Sequence, residues 1–181
     1  HSIDELLTIL KNAEKQLIGT HKSIDSVPYN GLSESYMERL YINSDGANRY
    51  EKHSQSSIYL YAKAEEENRK PRSAGVVKIN TNLDNLDIES CIKETSNKLI
   101  SHLNYKAIET KKYLICFTPD AFLQLISAFS SMFNARSIID GVSLMNGQSL
   151  GKQIAVKNLN ISDEGLHPEN VGAFSFDGEG T

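Results

Sequence analysis

The architecture follows from Ile58-Tyr59-Leu60-Tyr61-Ala62-Lys63-Ala64, a segment in which apolar side chains occupy every second position. The even-numbered side chains are all apolar and share one face of an extended chain, and the other face carries Tyr59, Tyr61 and Lys63. Such alternation is typical of a strand with one buried side and one side that faces solvent. The segment therefore predicts a half-buried β-strand.

Two further segments predict strands beside it. The chain from Tyr36 to Ile42 alternates in the same way and ends at Asn43-Ser44-Asp45-Gly46, which is a hairpin turn signal. After Ala64, the charged run from Glu65 to Arg72 predicts a solvated hairpin tip, and Ala74 to Ile79 predicts the third strand. Together the three strands predict an antiparallel meander.

Two amphipathic helices are predicted around the meander. Ser2 and Glu5 form a capping box at the start of the first helix, which ends at Gly19, and Asp87 caps the second. Their buried stripes recur at helical spacing and comprise Ile3, Leu6, Leu7, Leu10, Ala13 and Leu17 in the first helix and Ile88, Cys91, Ile92, Thr95, Leu99 and Leu103 in the second. The segment from His21 to Ser35 predicts a loop, because it carries proline, glycine and several serines.

The last third of the chain predicts a second strand-rich region. Tyr113 to Phe117 is a short apolar strand, and Thr118-Pro119-Asp120 opens a third helix with proline at its first position. Three more strands are predicted at Ser137 to Ile139, Gln153 to Val156 and Ala173 to Phe176. The apolar face of the third helix comprises Phe122, Leu125, Ile126, Phe129 and Phe133. The turns between the strands are marked by Asn146-Gly147, Gly151, Gly165 and Pro168.

Neighbouring antiparallel strands mixed with helices favour an α+β fold over a doubly wound parallel sheet. We expect residues 1–110 to form an N-terminal α+β domain made of a helix, a three-strand meander and a helix. Residues 111–181 are expected to begin a middle or C-terminal domain that is truncated in this chain. A length of 181 residues is sufficient for one well-packed domain or two small ones.

Composition excludes several classes of function. The net charge of −4 gives no basic face for nucleic acid. No apolar run approaches the roughly 20 residues that cross a bilayer, and the amphipathic, acidic N-terminal stretch does not resemble a signal peptide. We therefore expect a cytoplasmic protein with neither a nucleic acid nor a membrane as partner.

The residues with metal or nucleophile chemistry are scattered. The two cysteines, Cys91 and Cys116, lie in apolar patterns and predict buried reduced thiols. The five histidines form no pair at helical ligand spacing, and they are His1, His21, His53, His102 and His167. His102 borders an apolar stripe, so a structural role is favoured over metal binding.

Three short motifs partly match known sites and fall short of them. The stretch from Gly147 to Gln153 has glycines too close together for a phosphate-binding loop and no Ser or Thr after its lysine. The stretch from Gly141 to Met145 lacks the second glycine of a serine-nucleophile turn. Asp177 and Glu179 flank Gly178 and offer oxygen ligands for a hard cation, but a turn that bonds its own amides is favoured. We therefore predict no catalytic, cofactor-binding or metal-binding residue in this chain.

Four stretches, in this order, resemble the TldD/PmbA family. They are Asn43-Ser44-Asp45-Gly46, Cys116-Phe117-Thr118-Pro119-Asp120-Ala121, Leu150-Gly151-Lys152-Gln153-Ile154-Ala155 and Phe176-Asp177-Gly178-Glu179-Gly180. Members of this family are known as modulators of DNA gyrase and as a paired metallopeptidase. The resemblance covers essentially the whole chain and implies an N-terminal and middle fragment of a protein more than twice as long.

The resemblance also implies where a metal would be bound. In the TldD-type subunit, a His-Glu-x-x-x-His helix binds zinc, and its glutamate serves as general base. Counting back from Gly151 places the two ligand positions at Ser127 and Met132 and the base at Ala128. None of these side chains polarises a water molecule, so the resemblance is to the metal-free PmbA or TldE branch, with zinc expected in a TldD-like partner.

Three functions follow as hypotheses. The first is a non-catalytic PmbA/TldE-like subunit, as a heterodimer or homodimer, of a complex that matures peptides and degrades small unfolded proteins. Its strand edges are candidates for pairing with an extended peptide, although the sequence does not indicate which edge is free. The second is a stand-alone metallopeptidase with ligands in the missing C-terminal half. The third is a scaffold or binding module without a proteolytic role.

Overall fold

The computed structural model describes residues 1–164 and 170–181, which form two compact units. The first unit contains residues 1–107 and the described part of 164–181, and the second contains residues 108–163. The first unit combines two helices with a three-stranded antiparallel sheet, so the predicted α+β class is confirmed. The division predicted at residue 110 stays a prediction.

The sheet has the order β1-β2-β3, with β1 at Ile24–Ile42, β2 at Asn48–Ala64 and β3 at Arg72–Asn80. Both pairings are antiparallel, so the predicted meander is confirmed. One face of β2 packs into the core, where Ile58, Leu60 and other apolar side chains of that face are fully buried. We call this the inner face; the opposite, outer face carries Tyr59 and Tyr61, which stay exposed.

Two helices cover the inner face, α1 at Ile3–Gly19 and α2 at Ile88–Leu103. The predicted caps are present, since Ser2 and Glu5 bond reciprocally and the Asp87 carboxylate accepts from the Ser90 N–H at 2.9 Å. The core of the unit comprises Ala13, Leu17, Ile24, Val27, Ile58, Leu60, Ala62, Ala64, Ala74, Leu83, Leu86, Cys91, Ile92, Leu99 and Leu103. The predicted stripe of α2 is therefore buried except for Ile88, which is half-buried, whereas Ile3 and Leu7 of α1 are exposed.

The loop predicted from His21 to Ser35 is wrong, because β1 already begins at Ile24. Pro28 lies where the register with β2 shifts, and a bulge on an edge strand tolerates a missing N–H donor. Gly31 lies opposite Tyr59, whose ring occupies the space that a Cβ of residue 31 would need. Pro28 and Gly31 therefore both belong to a strand, although proline and glycine are typical of loops.

β1 and β2 extend beyond β3, which pairs only with Ser56–Ala64 of β2. The residues beyond that pairing, 35–42 and 48–55, form a two-stranded extension that we call the arm. The arm ends in the predicted turn, where the Asn43 side chain accepts from the N–H groups of Asp45 and Ala47 at 3.0 and 2.9 Å.

The second unit contains α3 at Pro119–Ser127 and α4 at Ala135–Ile139, with short 3-10 helices at Ser130–Phe133 and Gly147–Ser149. The third helix and the proline at its first position are confirmed, but the helix ends at Ser127, so Phe129 and Phe133 of the predicted apolar face lie beyond it. Leu125, Phe129 and Phe133 are each 43% exposed. The strands predicted at 113–117, 137–139, 153–156 and 173–176 are wrong, since none of these segments is extended in a sheet. At 137–139 the reason is local, because the Asn134 side chain accepts from the Ser137 N–H and caps a helix.

Within the described ranges, no helix combines the length and the apolar character needed to span a membrane. Gly165, His167 and Pro168, which the sequence analysis considered, lie outside the described residues.

Candidate functional site

The positions where the resemblance places metal ligands do not lie on one helix. α3 ends at Ser127, whose Oγ donates to the carbonyl of Gln124 at 2.8 Å, and Ala128 caps the helix end. Met132 belongs to the following 3-10 helix, and its carbonyl accepts from Ser143 Oγ at 2.9 Å. The Ser127 hydroxyl and the Ser143 hydroxyl therefore hold local backbone in place.

The residue types at these positions offer a hydroxyl, a methyl group and a thioether. A catalytic zinc site requires imidazole, carboxylate or thiolate ligands and a base beside the bound water. Across residues 1–164 and 170–181, no group of three or more His, Cys, Asp or Glu side chains is arranged to hold a metal ion. At Ser127, Ala128 and Met132, the side chains offer neither a good zinc ligand nor a general base.

The C-terminal residues 174–181, which we call the docked segment, lie against the arm. The guanidinium of Arg39 lies over two rings of this segment, with its Cζ 4.7 Å from the centroid of Phe174 and 4.6 Å from that of Phe176. Its Nη2 also donates to the carbonyl of Asp177 at 3.3 Å. Phe176 is buried and lies near the ring of Tyr41, at a centroid distance of 6.4 Å.

Glu51 fixes the docked segment from the neighbouring strand. Its Oε2 accepts from both the N–H and the Oγ of Ser175 at 2.7 Å. Its Oε1 lies 2.9 Å from Nη1 of Arg39 as an ion pair, without the alignment of a hydrogen bond. The hydrogen bond from the Ser175 N–H, followed by the Ser175 hydroxyl and the charge of Arg39, lowers the pKa of Glu51 below its ordinary value.

Asp177 uses its carboxylate within the docked segment. It accepts from the N–H of Thr181 at 3.0 Å, from the hydroxyl of Thr181 at 2.9 Å and from the N–H of Glu179 at 2.8 Å. These bonds, that of the Thr181 N–H above all, lower the pKa of Asp177. The Asp177 carboxylate therefore bonds the amides of its own turn, as the favoured interpretation predicted, and Glu179 contributes its backbone N–H to that turn.

The four described histidines are not brought together. His1 bonds to Glu34, and His21 Nδ1 accepts from the N–H of Ser23 at 3.1 Å. The ring of His53 lies 5.2 Å from that of Phe174 at the docked segment, and His102 is exposed in the last turn of α2.

Cys91 is buried, as predicted, and burial raises the pKa of its thiol. Cys116 is exposed, so its predicted burial is wrong. The error has the same origin as the strand predicted at 113–117, because an apolar run is buried only where a partner covers it.

Sequence reasoning missed the anchor formed by Arg39 and Glu51. The two residues are direct partners across β1 and β2, so the predicted hairpin register would have paired their charges. The spacing of Phe174 and Phe176, with one residue between them, was a signal for two rings on the same side of an extended segment.

Two domain models of one protein family match this chain. The central-domain model of the PmbA/TldA metallopeptidases matches residues 1–103, and the C-terminal-domain model of the same family matches residues 110–181. The chain therefore belongs to the PmbA/TldA metallopeptidase family, and the resemblance inferred from four short stretches is confirmed. The comparison with curated proteins found no match.

Solved structures share the fold at low sequence identity. A proposed modulator of a DNA gyrase from Thermotoga maritima has a TM-score of 0.91 at 23% identity, covering 100% of this chain and 41% of that protein. A second proposed modulator of DNA gyrase, from Bacteroides thetaiotaomicron, has a TM-score of 0.66 at 16% identity, covering 77% of this chain and 32% of that protein. TldE from Thermococcus kodakarensis has a TM-score of 0.51 at 21% identity, covering 55% of this chain and 22% of that protein. The chain thus spans less than half the length of each of these proteins.

Proposed function

We propose that this chain acts as the non-catalytic, PmbA/TldE-like subunit of a two-component metallopeptidase. In this proposal, a TldD-like subunit supplies the zinc ion and the general base, and the present chain helps to enclose the peptide. The pair would mature peptides and degrade small unfolded proteins in the cytoplasm.

One observation carries the proposal. The chain belongs to a metallopeptidase family, and the positions matched to the metal helix carry Ser127, Ala128 and Met132. A side chain without an ionisable nitrogen, oxygen or sulfur atom is a poor zinc ligand, so the chain needs a partner if it is to contribute to peptide hydrolysis. The likeness to a TldE structure supports this choice of branch through the fold alone.

The charge of the chain does not favour a nucleic-acid partner. A net charge of −4 provides no general attraction for nucleic acid, so the DNA gyrase in the names of two neighbours is not taken as evidence of DNA contact.

Co-purification tests the proposal. This chain, carrying an affinity tag, would be co-expressed with the relative from the same genome that has a His-Glu-x-x-x-His motif. We expect a stable complex with about one zinc ion in the motif-bearing subunit, and peptide cleavage only when both subunits are present. Assay of each subunit alone is the control.

Two results would contradict the proposal. Stoichiometric zinc and chelator-sensitive cleavage in the present chain alone would indicate a stand-alone peptidase. Repeated failure to recover the motif-bearing relative, together with unchanged peptide turnover, would indicate a scaffold without a proteolytic role.

A further inference from the structure

A cleft with a volume of about 480 Å³ lies where the end of α2 meets the start of β3. Arg72 supplies its cationic group, and its lining also includes His102, Tyr61 and Tyr105. The hydroxyl-bearing residues Ser73 and Ser101 also line the cleft. Among the described residues that line the cleft, none is acidic.

Arg72 is held in a fixed orientation. Its Cζ lies 3.7 Å from the centroid of the Tyr105 ring, so the face of the guanidinium is covered and its edge remains for hydrogen bonds. The Nε of Arg72 is shielded from solvent and has no hydrogen-bond partner among the described residues. No described carboxylate lies within ion-pair distance of Arg72 either.

The C-terminal end of α2 does not use the Arg72 guanidinium as its positive charge. Helix C-termini attract positive charge because their last carbonyl groups lack helical partners. Here Arg69 already serves that role, since its Nη1 donates to the carbonyl of Leu103 at 2.5 Å. Arg72 therefore remains available to an external acceptor.

The strand beside the cleft has a free edge. β3 pairs with β2 on one side, and no described strand pairs with its other side. The ring of Tyr61, a residue of β2, lies over Gly75 of β3. A Cβ at residue 75 would lie 2.7 Å from the Cδ2 atom of Tyr61. The cleft thus combines an aromatic wall, an arginine fork and an open strand edge, which are features that receive the end of an extended peptide.

We propose that this cleft binds the C-terminal carboxylate of an extended peptide, with Arg72 as the main carboxylate ligand. The identity of the ligand rests on the proposed role in peptide turnover; the preference for an oxyanion rests on the geometry of the cleft. A guanidinium fork matches a carboxylate in shape and charge, and the tyrosine rings favour an apolar side chain next to it.

The test uses the 181-residue chain and a fluorescein-labelled peptide, Gly-Ala-Ala-Phe, with either a free carboxylate or a C-terminal amide. Fluorescence anisotropy measures the affinity for each. We expect the amide to bind about tenfold more weakly, because it loses the charge-assisted hydrogen bonds. Arg72→Gln should weaken binding of the free acid by about the same factor and leave binding of the amide unchanged.

Two further variants keep the test decisive. Arg72→Lys retains the charge and removes the planar fork, so it should lose most of the preference for the free acid while folding normally. Arg49→Gln removes an exposed arginine on the arm, outside the cleft, and should bind like the unmodified chain. Circular dichroism confirms that each variant is folded.

Equal affinity for the two peptides, or no binding of either, would overturn the proposal. Displacement of the free-acid peptide by inorganic phosphate at matched ionic strength, lost in Arg72→Gln, would show a general oxyanion site and overturn the assignment to peptides. The outcome is separate from that of the co-purification, because the peptide assay needs no partner subunit. A chain that pairs with its relative but shows no carboxylate preference would refute only this inference.

Discussion

At the scale of single residues, two tyrosines on the outer face of the sheet lie over glycines of neighbouring strands. A Cβ at residue 31 would lie 2.3 Å from Cε1 of Tyr59, near the movable end of that ring. A Cβ at residue 75 would lie 2.7 Å from the backbone carbonyl oxygen of Leu60. The first contact involves a side chain that can rotate away, and the second involves backbone in the central strand.

We therefore predict that Gly75→Ala destabilises the protein more than Gly31→Ala. The backbone shift at residue 75 should cost about 1–3 kcal/mol. The loss at residue 31 should stay below about 1 kcal/mol, because the unfolded chain also loses entropy with alanine. Urea unfolding of the two variants measures the difference, and equal loss in both would show that the carbonyl of Leu60 is not a constraint.

The same part of the sheet shows which structural features could be predicted from single residues. The alternation around Tyr59 and Tyr61 correctly assigned the two faces of β2. Pro28 and Gly31 misled the prediction, because a proline at a bulge and a glycine under a ring have the composition of a loop. Only the position of the neighbouring strand distinguishes the two cases, and that information is not local.

At the scale of elements, the strands of the arm have fewer pairing partners than the remainder of the sheet. In the arm, strand pairing joins only β1 and β2, and a two-stranded hairpin is marginal by itself. Between residues 58 and 64, β2 lies between β1 and β3, and its even-numbered side chains form part of the core. Stability should therefore decrease along β2 from Ala64 toward Asn48.

Hydrogen exchange should show this gradient. Hydrogen-bonded amides of Leu60 and Ala62 should exchange near the rate of global unfolding, and those of residues 48–55 should exchange at least about tenfold faster through local opening. Mass spectrometry of peptides from the two halves of β2 is sufficient to measure the difference. Equal protection along the strand would mean that the arm is part of the cooperative core.

Docking of residues 174–181 should depend on pH through Glu51. Its pKa is lowered in the folded chain, so the carboxylate stabilises docking above the ordinary glutamate value of 4.5. This contribution falls as the pH drops below that value and through the lowered pKa, because protonation removes the charge that accepts from Ser175 and faces Arg39. We expect the amide resonance of Ser175 to move toward its disordered position across that range.

Glu51→Gln should weaken docking at neutral pH and abolish this part of the pH response. Glu179→Gln is the matched control, since Glu179 lies in the same segment and its side chain makes no described ion pair. A Ser175 resonance that titrates equally in Glu51→Gln and the unmodified chain would assign the response to another group.

Elements were predicted well where a periodic pattern coincided with a local cap or turn. α1 and α2 had capping residues, and β2 and β3 were bounded by turn signals. The apolar segment 113–117 had the composition of a strand without a partner to pair with in the described chain. Strand propensity reflects packing against neighbours, so composition alone could not predict whether this segment forms a strand.

At the scale of the whole molecule, the contacts that hold the docked segment against the arm join distant parts of the sequence. Arg39 and Asp177 are 138 positions apart, and Glu51 and Ser175 are 124 apart. No periodicity or motif spans such distances. The sequence could indicate the family and the residue types at the metal positions, whereas the docked segment and the cleft at Arg72 required the three-dimensional arrangement.

The whole chain should also be indifferent to zinc. A metal that binds only the folded state at a concentration of 100 times its Kd stabilises it by about 2.7 kcal/mol. For a chain of this size, that corresponds to a rise in Tm of roughly 5–10 °C. We expect neither zinc nor a chelator to shift Tm by that amount, because Ser127, Ala128 and Met132 provide no imidazole or carboxylate ligand. A shift of several degrees that disappears in a Ser127→Ala, Met132→Leu variant would show a metal at these two positions and contradict the proposed division of roles. A shift that persists in the variant would place the ion elsewhere in the chain.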